Sequence, residues 1–417
     1  MNTARQLRIA LVSGDFTADG RAGLGGGIET YVRAMAKGLA GGGHDVHVIT
    51  RALHHSHTSL AHGARLHGIY VPDEWQPGAG DLGEARDALA FAWHAWRQVR
   101  ALAASGGRFD IVEAPEYKAQ GFYMARDGGL PLVVKCHAHL ALCLDLNGVA
   151  LADDTALVAD LERETLGRAT AVHANSLALA ARCSVDYQVP AARFVHVPYG
   201  IDTGLFQPTA STWRESWGVG AGPVALFVGR MEPRKGIETL VPAFTELVRR
   251  MPDATLVVAG PDTVGVTGRT SQQQWMSDTW AAAGVAADRV RQLGPVSPGD
   301  LPALYSAADV MVAPSPYEAF GLVYLEAMAC GTAAIGCAAG GVPEIITDGI
   351  TGRLVPPGDA PALASAMEQL LADAALRRRL SAAGRAAVER DYSLSAVVRR
   401  TAAFYQDVAS RHQETGA

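Results

Sequence analysis

Two glutamates, Glu318 and Glu326, stand with seven residues between them in Pro314–Gly331, P-S-P-Y-E-A-F-G-L-V-Y-L-E-A-M-A-C-G. The first precedes a glycine turn, and the second falls inside the apolar helix that follows. Phe320, Gly321 and Leu322 form the start of that helix, where backbone N–H groups lack intrahelical partners. Together with the helix dipole, those groups attract anionic oxygens. Gly321 has no Cβ to hold a ligand away. The segment can therefore seat a diphosphate, with one carboxylate meeting hydroxyls on one side of it and the other on the far side. Either glutamate alone reads as a solvated surface acid. The pair, with the glycine turn and the apolar helix, reads as a site.

A second group of charges lies in Gly229–Gly236, G-R-M-E-P-R-K-G, directly after the apolar run Val224–Val228. Arg230 and Lys235 thus stand at the carboxyl end of a strand, where open α/β sheets bind ligands. Two cations there suit a diphosphate whose departure builds negative charge. Arg234 reads as a surface residue that serves solubility, and the segment lacks the Walker spacing. The glycine loop Gly23–Glu29, G-L-G-G-G-I-E, lacks the dinucleotide spacing G-x-G-x-x-G; it reads either as an anion-binding nest or as a flexible turn. His137, in V-V-K-C-H-A-H-L, stands at the carboxyl end of another strand. A lone histidine is more often a packed residue, but this placement favours a role in chemistry, less so for His139. His54, His55, His57, His62 and His67 read as a solvated, variable loop rather than a metal site. No D-x-D pair accompanies the charged motifs, so no metal ligands are assigned.

Strand-like runs alternate with helical patterns along the whole chain, the pattern of parallel α/β architecture. Strands are predicted at Leu7–Ser13, Asp45–Thr50, Ile111–Glu113, Leu132–Cys136, Ala171–Ala174 and Phe194–Val197, with a helix near Ile28–Ala40. After the turn-rich stretch Tyr199–Pro208 the pattern restarts. Strands Val224–Val228, Leu256–Ala259, Val310–Ala313 and Ala333–Gly336 then alternate with helices that include Ile237–Arg250 and Leu322–Ala329. A final helix near Leu394–Val408 follows the last strand-helix unit. The helix near Arg86–Ala104 carries Phe91, Trp93 and Trp96 but few cations, so its aromatics read as core-facing rather than lipid-facing. The division is 1–199, 200–391 and a C-terminal segment 392–417.

At 417 residues the chain exceeds one ordinary core. Its 49% hydrophobic content and formal net charge of -6 exclude a disordered chain and argue against a nucleic-acid partner. Long apolar runs are broken by charges, Gly or Pro, so no transmembrane segment is predicted. The apolar N-terminal stretch reads as a strand rather than a signal peptide. Five cysteines without C-x-x-C suit a reducing cytoplasm and argue against a disulfide framework.

Taken together, the Glu-x7-Glu segment, the G-R…K segment and the G-G-G-I-E loop resemble family 4 of the retaining glycosyltransferases. Family-like stretches also include D-L-P-A-L-Y-S-A-A-D-V-M-V-A-P-S and G-G-V-P-E-I-I-T-D-G-I-T-G-R-L-V-P-P-G-D. The resemblance implies the B-type glycosyltransferase fold (GT-B): two Rossmann-like domains facing across a cleft, with the C-terminal helix crossing back to the first. The first domain would bind the acceptor and the second the nucleotide sugar.

On this resemblance, Arg230 and Lys235 hold and neutralise the diphosphate, Glu318 meets the sugar hydroxyls, and Glu326 accepts from the ribose diol. The amides of Phe320, Gly321, Leu322 and Val323 cradle sugar and phosphate, and Gly26 and Gly27 approach the β-phosphate and acceptor. Val296 lies where backbone reads the base, and His137 faces the reaction centre. Ala319 departs from the family's usual Gly, Pro or Ser, a change small enough to preserve function. Asp145-Leu146-Asn147 is assigned to acceptor selection.

The implied reaction transfers a hexose-type sugar, from UDP in preference to GDP, with retention and by same-face substitution. No cofactor or metal is required. The partners are the nucleotide sugar and a small soluble acceptor, and the chain is a monomer or homodimer. Competing readings are a nucleotide-sugar epimerase, a phosphorylase, a peripheral-membrane transferase acting on a lipid-linked or cell-envelope acceptor, and a non-catalytic nucleotide-sugar sensor.

Overall fold

The computed structural model describes residues 5–18, 26–72, 82–219, 221–264 and 268–414. The chain forms two compact units. The first comprises Met1–Leu144, Ala150–Gly200 and Leu394–Ala417, and the second Asp145–Val149 with Ile201–Ser393. Residues 145–149 thus group with the second unit although the sequence reading puts them in the first domain.

The sheet of the first unit contains β1 (Arg8–Thr17), β2 (Asp45–Ala52), β3 (His57–Ala61), β4 (Ala64–Tyr70), β5 (Ile111–Pro115), β6 (Leu132–Cys136), β7 (Ala171–Ala174) and β8 (Phe194–His196). Their order is β3-β4-β2-β1-β5-β6-β7-β8, parallel throughout except for the antiparallel β3–β4 pair. Continuous apolar runs make these strands because helices cover both faces of a parallel sheet. All five residues of β6, for instance, are buried.

That first sheet corrects the reading of the histidine loop. His54 and His55 are exposed and His62 sits in a turn, but His57 opens β3 and His67 lies in β4. His67 is buried and stacked on His47 at 5.1 Å. Burial first, then the neighbouring His47, pushes its imidazole down to about 4. Its Nδ1 faces the Thr58 hydroxyl and its Nε2 lies 2.9 Å from His47 Nδ1, so the polar ring is hydrogen-bonded within the core. On the helix Gly83–Gly106, Phe91 is buried, while Trp93 and Trp96 pack on each other at 4.9 Å and Trp93 on Tyr123 at 5.2 Å.

The last helix, Leu394–Glu414, packs into this first unit. Its Tyr405 donates to Glu113 Oε2 at 2.5 Å, and Glu113 also takes His173 Nε2 at 2.7 Å and Tyr31 O–H at 3.0 Å. Glu113 is buried, so each donor is needed to offset its desolvation. Tyr405→Phe is expected to cost about 1.5–3 kcal/mol, the worth of a hydrogen bond to a charged group. Hydrogen exchange should then quicken in 394–414. Unchanged protection there would show that the helix does not depend on this contact.

In the second unit the strands are β9 (Val224–Val228), β10 (Thr255–Ala259), β11 (Val290–Gly294), β12 (Val310–Ala313), β13 (Ala333–Cys337) and β14 (Arg353–Val355). Their order is β11-β10-β9-β12-β13-β14, all parallel. The core includes Phe227 on β9, Phe244 and Leu247 on the helix Ile237–Arg250, Trp280 on Gln272–Ala282 and Met367 on Ala360–Ala372. Among the described residues no helix is long and apolar enough to cross a membrane.

Candidate functional site

In the second unit, strand order reverses at β9 and β12. β10 and β11 lie on one side of this pair, and β13 and β14 on the other. Loops leaving the carboxyl ends of two strands at such a switch point are the general ligand position in open α/β sheets. These loops are Gly229–Gly236 and Pro314–Gly321, the two charged segments picked out by residue type.

Two glycines bring their charges together. Gly236 has φ 77°, and a Cβ there would lie 2.0 Å from the Pro314 carbonyl oxygen. The turn after β9 is therefore pressed directly on the chain leaving β12. Lys235 Nζ consequently reaches Glu318 Oε2 at 2.7 Å, with Ser315 Oγ at 3.4 Å from the same oxygen. Gly321 has φ 108°, and a Cβ would strike the Tyr324 ring at 2.4 Å. Only glycine permits that approach to the first turn of the helix Leu322–Ala329. The amides of Leu322 and Val323 precede the first hydrogen bond of that turn, from Tyr324 N–H to the Gly321 carbonyl at 3.1 Å.

The two carboxylates sit in opposite electrostatic surroundings. Burial pushes the Glu318 carboxyl up, but the charges of Lys235 and Arg234 outweigh it. With hydrogen bonds from Lys235 and Ser315, they hold the group below its ordinary range. Glu326 is also buried, and its only described donor is the Tyr305 hydroxyl, 2.6 Å from Oε2. Burial pushes its carboxyl up, and the Tyr305 hydrogen bond opposes this only in part. Glu326 therefore has acceptor capacity left for further hydroxyl donors.

Arg230 presents a side chain 55% exposed, 4.0 Å from Glu232. Arg234 differs from the surface reading. It pairs with the buried Glu232, and its backbone N–H donates to Asn147 Oδ1 at 3.2 Å. Asn147 Nδ2 lies 3.5 Å from Glu232 Oε2, so the Asp145–Val149 segment is tied to the cation loop. Sequence reasoning missed Glu232, Tyr305 and Asn147 in these roles. Glu232 alone left a signal, being an acid set among three cations in one short loop.

Val296 lies in the loop after β11 and is partly buried. The second unit thus assembles Arg230, Lys235, Glu318, Phe320–Val323 and Glu326 around one strand pair. Gly26, Gly27 and His137 belong to the first unit. Gly26 caps the helix Gly27–Gly41, and a Cβ on either glycine would meet nothing within 4 Å. Gly23–Gly25 of the same loop lie outside the described residues. His137 follows β6, is 6% exposed, and takes both Glu116 oxygens on its backbone N–H at 2.7 and 2.8 Å. His139, buried and paired with Asp186 at 2.8 Å, is a packed residue. No group of three or more metal-ligating side chains occurs among the described residues.

The family profile "Glycosyltransferase Family 4" matches residues 25–205, and "Glycosyl transferases group 1" matches 210–387. The D-inositol 3-phosphate glycosyltransferase of Actinosynnema mirum is 31% identical over 372 residues, 85% of this chain and 86% of the relative. The alpha-D-kanosaminyltransferase of Streptomyces kanamyceticus is 31% identical over 307 residues, 70% of this chain and 75% of the relative. Among solved structures, a sucrose-phosphate synthase from Thermosynechococcus elongatus superposes with TM-score 0.78 at 27% identity. That match covers 98% of this chain and 100% of the other.

Proposed function

The chain belongs to glycosyltransferase family 4, and from that premise we propose that it transfers a hexose-type sugar, with retention, from a UDP-sugar to a small hydroxylated acceptor. The observation that carries this reading is the Lys235–Glu318 pair, 2.7 Å apart at the start of the helix Leu322–Ala329. In this reading the diphosphate lies against Arg230, Lys235 and the amides of Phe320–Val323. Glu318 accepts from the sugar hydroxyls, Glu326 accepts from the ribose diol, and the backbone at Val296 meets the base. Gly26 and Gly27 flank the β-phosphate and the acceptor, and His137 hydrogen-bonds the substrate. The name of one relative above, D-inositol 3-phosphate glycosyltransferase, supports a compact polyhydroxylated acceptor.

The reaction runs as same-face substitution through an oxocarbenium-like state. The bond from the anomeric carbon to the β-phosphate oxygen breaks as the acceptor oxygen attacks from the same side. The departing diphosphate receives the acceptor's proton. Arg230, Lys235 and the helix dipole stabilise the charge that builds on it, the kind of term that dominates such catalysis. Glu318, bonded to Lys235, is given the part of hydroxyl acceptor in this reading, and no glycosyl-enzyme intermediate of the hydrolase kind is invoked.

Because two cations and a helix terminus supply the positive charge, turnover of UDP-sugar is expected to survive excess EDTA. The check is donor consumption with UDP- and GDP-sugars, with and without chelator. Abolition by EDTA with recovery on Mg²⁺ or Mn²⁺ would contradict the clamp.

A further inference from the structure

The imidazole of His137 is held by a chain of polar groups that the transfer reaction as described leaves unused. Its ring lies between Tyr31, edge-on at 5.3 Å, and Tyr199 at 5.6 Å. Tyr199 is 5% exposed, and its hydroxyl contacts His137 Nδ1. Asn175, 1% exposed, directs Nδ2 to the His137 carbonyl at 3.5 Å, and its side-chain amide also hydrogen-bonds the Tyr199 hydroxyl. A carbonyl oxygen only accepts, so the amino end of Asn175 must face it. Asn175 Oδ1 has no hydrogen-bond partner among the described residues, so the amino end also serves the Tyr199 oxygen. Directing the Tyr199 proton to His137 Nδ1 makes that nitrogen the acceptor, and so the unprotonated one. Burial, then the charge of Lys135, keeps the ring uncharged. A neutral imidazole carries one N–H, which leaves it on Nε2.

We infer that Tyr199 is a positioning residue that fixes His137 as the Nε2–H tautomer, so that the ring acts as a hydrogen-bond donor and never as a base at that nitrogen. The inference rests on the reading that His137 meets the substrate. It explains why a tyrosine stands three residues beyond β8, where the chain leaves the first sheet: its hydroxyl both accepts from Asn175 and donates to the ring. Lys135 Nζ lies 5.2 Å from the Tyr31 ring centre and 5.3 Å from that of Tyr199, and donates to the Val197 carbonyl at 2.7 Å. The ammonium thereby holds both aromatic walls around the imidazole.

The test is nitrogen NMR on protein labelled with ¹⁵N-histidine, with the His137 signals assigned by their loss in His137→Gln. In the wild-type protein at neutral pH, Nε2 should show a protonated-type shift and Nδ1 an unprotonated one. In Tyr199→Phe both shifts should move toward the average of the two tautomers. Asn175→Ala, which removes the donor that orients the hydroxyl, should move them the same way. Turnover of UDP-sugar should fall roughly tenfold in Tyr199→Phe, the worth of one ordinary hydrogen bond, with donor KM nearly unchanged. Protonation on Nδ1 in the wild type, or an unaltered tautomer in Tyr199→Phe, would overturn the inference. A tautomer shift without loss of kcat would support the positioning and overturn instead the substrate role given to His137.

Discussion

Lys235→Ala is expected to lower kcat at saturating donor by roughly 100-fold or more, the scale of a lost transition-state donor. The ammonium is pre-placed rather than recruited. Gly236 presses its turn on Pro314, and the side chain, 20% exposed, is already bonded to Glu318. A cation held so has little reorganisation left to undergo when charge appears on the leaving oxygen, and solvent screens it weakly. The substitution has a second effect. Glu318 would lose its main charge partner while staying buried, so its carboxyl would rise toward neutrality and meet sugar hydroxyls less well. Both effects act in the same direction. Initial rates of donor consumption at saturating UDP-sugar measure the sum, and near-normal turnover would contradict the assignment of Lys235.

This arrangement was legible in the sequence only where its parts are contiguous. β9 and β12 have the bounds that the sequence predicts, because strands covered on both faces are uninterrupted apolar runs. The charged loops follow these strands directly, so their place at carboxyl ends could be inferred. β3 and β4 were hidden by their composition. His57-Thr58-Ser59 and the buried His67 look solvated until His47 is seen stacked on His67. β14 is three residues long and offers no periodicity. Pairings distant in sequence left no local trace either: Lys235 with Glu318 across 83 positions, Tyr305 with Glu326 across 21, Asn147 with the cation loop. Nor does the sequence reveal that Tyr199, three residues beyond β8, turns toward His137.

Glu326→Gln and Glu318→Gln are expected to fail in different ways. Glu326 has one described donor and a carboxyl raised by burial, so a vicinal diol would satisfy it equally before and during reaction. Uniform binding of that kind sets KM. The Gln variant cannot accept from two hydroxyls as strongly as a charged carboxylate, whose hydrogen bonds are about twice as strong as neutral ones. Donor KM should therefore rise roughly tenfold, with kcat close to wild type. Glu318 faces the opposite case. It is held ionised beside Lys235, and in the proposed reaction it meets a sugar ring that distorts as its bond breaks. Interactions that strengthen on the way to the transition state appear in kcat, and Glu318→Gln should lower it by roughly 100-fold.

Calorimetric titration of UDP, in buffer containing EDTA, into the wild-type protein and both glutamine variants separates these roles without needing the acceptor. UDP carries the ribose and the diphosphate but no sugar. The expected result is metal-free binding to the wild-type protein, a roughly tenfold weaker dissociation constant for Glu326→Gln, and an affinity close to wild type for Glu318→Gln. Absence of UDP binding to the wild-type protein would contradict the diphosphate site at β9 and β12. Loss of affinity confined to Glu318→Gln would mean that the two glutamates have the reverse roles.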